Sequence, residues 1–298
     1  MNKVDIKIIY SCNNHCLFCI QWEEKRIKYW AKSLQEIQGI LLTSLKKSNT
    51  RQVVFTGGEP TLHPQLLRAI EYAKEIGYIY IFVQSNWQNF SDLEFCLKLK
   101  KAGITHFAPS IHWFFPKTHD LLTQTEWAWM KVVQWIRNAK RIWSKVTLNI
   151  VVTKQNYKEM TLLSALLCKL WIDSFQFAFP HIGGSAKVNA LEIIPKKTDI
   201  MPYIKGWIDI AQKYWIPCLT EAIPYCLMIW YEKMVGEQYL VESSVHDAEY
   251  KLDSYTNYRL TEWKIKQESC KKCSRYRMCE WPWKEYPEMY GWEEFIPY

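Results

Sequence analysis

Six short apolar runs, each followed by a stretch with helical spacing, constrain the fold of this chain more than any other feature. VDIKIIY (4–10), QVVFT (52–56), YIYIFVQ (78–84), THFAPSI (105–111), KVTLNIVV (145–152) and DSFQFAF (173–179) read as strands. Apolar residues recur at helical spacing over 33–47, 64–77, 91–102, 127–141 and 157–170. Strands that alternate with helices predict an α/β fold, a parallel sheet covered by helices and curved or partly closed as a barrel. The alternation fades near residue 185, and the remainder of the chain is rich in aromatic residues and lysine. We therefore divide the chain into a core over 1–190 and an extension over 191–298.

With 49% hydrophobic and 23% charged residues, the 298-residue chain reads as globular rather than disordered or coiled-coil. No apolar run reaches the 18 or so residues that a membrane span needs. The first residues, MNKVDIKIIYSC, lack the long apolar stretch and small-residue cleavage site of a secretory signal, so a cytoplasmic location is expected. The net charge of +8 is spread along the chain. It reads as a solvated surface, and no RNA-binding module or long basic arm accompanies it.

Cys12, Cys16 and Cys19 lie in YSCNNHCLFC, directly after the first predicted strand. Loops after strand C-termini build the active sites of parallel barrels. Three thiolates on one loop suit an iron–sulfur cluster or zinc, and a cytosolic chain does not favour disulfides. In a 4Fe–4S cluster, three protein ligands leave one iron open to a cofactor or substrate. A zinc site that borrows His15 is the alternative.

The second predicted strand runs into FTGGEPTLHP (55–64). Gly57 and Gly58 allow close backbone approach to a ligand. Glu59 can accept a hydrogen bond from an ammonium group, and Pro60 fixes the turn. Polar residues end the next strands: Ser85 and Asn86, then Ser110 with His112, His119 and Asp120 nearby, then Asn149. In the extension, Cys270, Cys273 and Cys279 follow a two-then-five spacing, and Cys226 lies upstream. Four thiolates can close a second centre, either a cluster or zinc. Cys218 competes with Cys226 for the fourth position, whereas Cys96 and Cys168 fall in helical patterns as ordinary buried thiols.

CxxxCxxC after the first strand and GGEP after the second together resemble the signature of radical S-adenosylmethionine (SAM) enzymes. The resemblance implies a partial (βα)6 barrel in which Cys12, Cys16 and Cys19 hold a 4Fe–4S cluster. The amino and carboxylate groups of SAM would chelate the open iron. Gly57, Gly58, Glu59 and Pro60 would help to bind its amino group, and Ser85, Asn86, Ser110 and Asn149 its ribose and carboxylate. An electron from the cluster would cleave SAM to methionine and a 5′-deoxyadenosyl radical, which abstracts a substrate hydrogen. A flavodoxin- or ferredoxin-type electron donor is implied. Cys226, Cys270, Cys273 and Cys279 resemble the ligands of an auxiliary cluster in extensions of the SPASM and twitch types. Such extensions recur in peptide-modifying members, so a peptide or protein is the expected substrate. Small-molecule cofactor biosynthesis is the alternative, and a non-enzymatic electron-transfer protein the competing class.

Tryptophan is abnormally frequent, 16 against 10 glycines. Average usage predicts roughly 21 glycines in a chain of this length. Ten tryptophans stand at turns, helix ends or motif positions that favour glycine: Trp87, Trp113, Trp127, Trp135, Trp143, Trp171, Trp215, Trp230, Trp263 and Trp281. Trp129, Trp283 and Trp292 read as genuine aromatics. The pattern predicts a gene in which UGA encodes glycine and has been read as tryptophan.

Overall fold

The computed structural model describes residues 2–298 except Asn49, Trp87, Trp113 and Trp143. Three of the suspect tryptophans therefore lie outside the described residues. All six expected strands form: β1 (Lys3–Ile9), β2 (Gln52–Gly57), β3 (Tyr80–Ser85), β4 (His106–Pro109), β5 (Lys145–Val151) and β6 (Ser174–Ala178). Alternation explains why they are strands with one dry face. In β1, Val4, Ile6 and Ile8 are fully buried, while Lys3, Asp5 and Lys7 occupy the other face.

Helices follow the strands. They are α1 (Glu23–Lys28), α2 (Leu34–Ser48), α3 (Leu66–Glu75), α4 (Leu93–Ala102), α5 (Pro116–Thr123), α6 (Ala128–Arg141) and α7 (Met160–Lys169). Two single turns, α8 (Ser185–Val188) and α9 (Ala190–Ile193), lead into the long α10 (Lys197–Lys213). The last helices are α11 (Tyr255–Tyr258) and α12 (Glu285–Tyr290). Pro116 starts α5, where its missing N–H costs nothing. Asp92 caps α4 by accepting from Glu94 N. Among the described residues no helix is long and apolar enough to cross a membrane.

The sheet has nine strands in the order β7-β6-β5-β4-β3-β2-β1-β8-β9, an open α/β arrangement rather than a closed barrel. The three strands beyond the expected six are β7 (Cys218–Glu221), β8 (Ser243–His246) and β9 (Lys251–Leu252), all in the extension. β7 pairs in parallel with β6. β8 pairs in parallel with β1, with Lys3 opposite Ser243 and Ile6 opposite His246. Residues after 190 thus flank the sheet on both sides.

An ion cluster locks the returning segment. The Asp247 carboxylate, fully buried, accepts from Lys7 Nζ at 2.6 Å and Lys25 Nζ at 3.1 Å. Burial alone would raise its pKa, but Lys7 and Lys25 overcome this and hold the carboxyl well below the usual carboxylate range. Asp247→Asn leaves two cations facing a neutral amide and destabilises the fold by about 3 kcal/mol at pH 7. The folded-state pKa is depressed, so this stabilisation is complete above the unfolded value of about 3.9 and is lost as pH falls below it. Urea midpoints of wild type and variant therefore differ at pH 7 and converge in acid; a constant gap would refute the assignment.

Seven described non-glycine residues have positive φ, and five of them are tryptophan: Trp127, Trp171, Trp215, Trp230 and Trp281, between 56° and 73°. Trp215 shows why. It follows the C-terminal turn of α10, and Ile216 N reaches back to Ala211 O at 3.0 Å, the helix-ending geometry that ordinarily takes a left-handed glycine. The indole contributes little in return, since Trp215 and Trp230 are 92% and 90% exposed. Trp135 and Trp263 depart from the expectation. Trp135 lies within α6, fully buried against Phe90 and Phe107. Trp263 packs at a tilt against His181 and edge-on against Tyr258, without positive φ. Both side chains fill packed space, so neither site has a backbone need for glycine.

Candidate active site and metal centres

The cysteine loop is clamped from three sides. Its start meets the turn after β2: Gly58 N donates to Ile9 O at 2.7 Å and Glu59 N to Ser11 O at 2.8 Å. Its middle runs beside the end of α5, with His15 N on Thr123 O and Leu17 N on Leu122 O. Its end is held by Ala186 N, which donates to Cys19 O at 3.0 Å. Phe18 packs edge-on against His112, with ring centres 4.4 Å apart. The loop therefore sits where the C-terminal ends of β1 and β2 meet α5 and α8.

The two glycines serve this clamp. A Cβ on Gly57 would lie 2.1 Å from Ile9 O, and one on Gly58 would lie 2.2 Å from Ser11 O. Either contact would push the GGEP turn off the cysteine loop. Their smallness lets backbone approach backbone, where the sequence suggested approach to a ligand.

Glu59 is fully buried at the centre of this turn. Its Oε1 accepts from Thr61 N at 2.9 Å, Thr61 Oγ1 at 2.6 Å and Ser85 Oγ at 2.6 Å. Its Oε2 accepts from Asn86 N at 2.7 Å. Burial raises the carboxyl pKa, against the opposing effect of these donors. One lone pair of Oε2 is left for a further donor such as an ammonium group. Pro60 is buried at the start of the short turn that comes next.

The site residues expected from sequence fall into two groups. Ser85 and Asn86 join the Glu59 cluster, and Asn86 Nδ2 also donates to Asn13 Oδ1 at 2.6 Å and toward Cys12 Sγ at 3.6 Å. Ser110 and Asn149 face each other across a parallel bridge between neighbouring strands. Asn149 Oδ1 is buried with no hydrogen-bond partner among the described residues, an acceptor open to a donor. His112 and His119 stack on one another, fully buried, and desolvation lowers both pKa values. Asp120 caps the start of α6, accepting from Trp127 N and Trp129 N.

The three thiols suit a multi-iron group better than a single ion. Burial pushes the Cys12 thiol up to about 11 and raises Cys16 as well, and neighbouring thiols add to both shifts. Such groups stay protonated at neutral pH until a metal displaces the proton. The His15 side chain is 64% exposed and its Nδ1 lies 3.3 Å from Arg26 Nη1, so the fourth ligand a zinc site would borrow is turned toward solvent; three thiols remain, the number that leaves one iron of a 4Fe–4S cluster open.

The other four expected cysteines share one pocket. Cys226, Cys270, Cys273 and Cys279 line one pocket of about 410 Å³, part of it open to solvent. Proline and aromatic walls surround them, among them Tyr225, Tyr276, Trp281 and Phe295. Burial pushes the Cys226 thiol up to about 12, with Cys279, Cys270 and Cys273 adding to the shift. Cys218 lies on β7 as a buried thiol, away from this pocket's lining.

Sequence reasoning passed over Asn14 and Arg26. Asn14 N donates toward Cys12 Sγ at 3.4 Å, and its side chain accepts from Gln88 and Thr125. Arg26 lies in a charge-rich segment with no motif to mark it.

The profile of the Radical SAM superfamily matches residues 6–166, more than half of the chain. The chain belongs to the radical SAM superfamily. Radical SAM proteins use a 4Fe–4S cluster and SAM, and both the cysteine loop and the GGEP turn lie within the matched region. A "Probable GTP 3',8-cyclase" of Saccharolobus islandicus is 28% identical over 191 residues, 63% of this chain and 60% of that protein. The protein of the same name from Sulfurisphaera tokodaii is 26% identical over 216 residues, 71% of this chain and 67% of that one. The chain thus matches about 60% of the length of the first of these relatives. Among solved structures, Streptococcus suis SuiB bound to S-adenosylmethionine superposes with a TM-score of 0.68 at 17% identity, covering 93% of this chain and 72% of SuiB. Native anSMEcpe with bound AdoMet gives 0.66 at 17%, covering 94% and 89%. The fold shared with these two structures thus covers nearly the whole chain.

Proposed function

We propose that this radical SAM enzyme acts on a peptide or protein and carries two iron–sulfur clusters. Cys12, Cys16 and Cys19 would hold the cluster that supplies the electron for SAM cleavage. Glu59 would accept from the SAM ammonium through Oε2, and Asn149 Oδ1 would meet a SAM hydroxyl. Gly57, Gly58, Pro60, Ser85 and Asn86 would shape that wall, with Ser110 beside Asn149. Cys226, Cys270, Cys273 and Cys279 would ligate the second cluster completely, which suits electron transfer rather than substrate ligation. A flavodoxin- or ferredoxin-type donor would provide the first electron, and the cytoplasm is the compartment this chemistry suits.

One observation carries the peptide reading. The fold likeness to SuiB and anSMEcpe covers 93% and 94% of this chain, so it reaches into the extension, whereas the two cyclase likenesses cover 63% and 71%. A further anSMEcpe structure contains bound AdoMet and a Kp18Cys peptide. The cyclase relatives support a second reading, a nucleotide substrate. Anaerobically reconstituted protein with dithionite and SAM is expected to release 5′-deoxyadenosine, and GTP is expected to leave that rate unchanged and be recovered intact. Consumption of GTP in step with 5′-deoxyadenosine would replace the peptide reading with the nucleotide one. No 5′-deoxyadenosine from iron-loaded protein, with or without GTP, would count against both.

A further inference from the structure

Arg26 folds back from α1 over the cysteine loop. Its Nη2 donates toward Cys19 Sγ at 3.8 Å. Its Nη1 donates to Asn14 O at 2.8 Å and lies 3.3 Å from His15 Nδ1. Its Nε lies 3.3 Å from a carboxylate oxygen of Glu23, which is itself largely exposed. α1 buries none of its residues, yet the Arg26 side chain is only 8% exposed. A guanidinium on a surface helix ordinarily keeps its hydration. This one has exchanged water for the loop, and its charge couples to both Cys12 and Cys19. The donors to Cys12 Sγ are neutral, Asn14 N and Asn86 Nδ2. Among the described residues, Arg26 is the charged donor to a loop sulfur.

We propose that Arg26 sets the reduction potential of the centre formed by Cys12, Cys16 and Cys19. The proposal rests on the reading of those cysteines as cluster ligands. Three thiolates on an oxidised 4Fe–4S core carry a net charge of −1. One electron from an external low-potential donor takes this to −2, with no proton moved. A fixed positive charge at Cys19 stabilises the −2 state more than the −1 state, so it raises the potential and eases reduction. Guanidinium remains protonated throughout the working range, so the effect does not depend on pH. Arg26 touches a ligand and no reacting atom, which makes it a positioning residue. Its fork also fixes the Cys19 thiolate against the Asn14 carbonyl.

The test is an EPR-monitored redox titration of the anaerobically reconstituted full chain. The centre is recognised as the signal that changes when SAM is added. Arg26→Gln, which offers a neutral amide donor in place of the charged guanidinium, is expected to bind the same iron and shift the midpoint to more negative potential. Arg26→Lys is expected to stay near wild type, and the Arg26→Gln shift to be equal at pH 7 and pH 8.5. An unshifted Arg26→Gln midpoint at full iron content overturns the proposal, as does loss of iron without a shift in what remains, which would mark a structural role. If wild type shows no SAM-sensitive signal, or keeps one after Cys12, Cys16 and Cys19 become alanine, the ligand reading fails and takes this proposal with it.

Discussion

Changing Trp127, Trp171, Trp215 and Trp230 together to glycine raises the melting temperature by roughly 10 °C. The four residues hold left-handed backbone, which costs a residue with a Cβ about 1–2 kcal/mol each. Glycine enters that region freely, at the expense of some unfolded-state entropy. The indoles return little, being between 69% and 92% exposed. A net gain of about 1 kcal/mol per site, summed over sites that share no partners, gives about 4 kcal/mol. Differential scanning calorimetry of the fourfold variant measures it directly, and an unchanged or lower transition would refute the strain argument. Trp281 has the same backbone sign but lines the cysteine pocket, with its buried indole N–H unpaired among the described residues. Glycine there would relieve strain and also open the pocket. The gene supplies an independent check: UGA codons at these five positions, with GGN at the existing glycines, fit a reassigned code. UGG there would leave the strain real and its origin unexplained.

Alanine at Cys12, Cys16 and Cys19 reduces 5′-deoxyadenosine formation to the uncatalysed background, because no other described thiols lie on the clamped loop. On the proposed two-cluster reading, about four iron atoms per chain are lost and those held by the second set remain. Alanine at Cys226, Cys270, Cys273 and Cys279 is expected to lower the iron content as well but to leave SAM cleavage measurable, since these residues line a separate pocket. Iron analysis and product chromatography on both variants decide the matter. Full iron retention in either one would remove that set from the ligand assignment.

The six core strands were legible because each carries an apolar run of ordinary strand length next to a helical pattern. The outer strands were not. β8 is SSVH and β9 is KL, too short and too polar for periodicity to register. Their place beside β1 depends on pairing across most of the chain, which no local pattern encodes. α5 escaped notice for a similar reason, since PKTHDLLT is a short, largely polar helix whose end is held by backbone bonds from the cysteine loop. The cysteines and GGEP were legible as chemistry, yet the glycines work by admitting a neighbouring strand. The turn logic that singled out Trp171, Trp215, Trp230 and Trp281 matched their backbone sign. It failed at Trp135 and Trp263, where composition suggested glycine and the fold has filled space with an indole.

The pairing of β1 with β8 also has a consequence in time. β1 acquires its second neighbour only when residue 243 has emerged from the ribosome, some 240 residues later. At about 5–20 residues per second, that is roughly 10–50 s during which one edge of β1 presents unpaired backbone donors and acceptors. The strand that leads into the CxxxCxxC loop is therefore the nascent chain's open template for mispairing. Its polar face of Lys3, Asp5 and Lys7 is the kind of sequence that keeps such an edge from recruiting another chain before its own arrives.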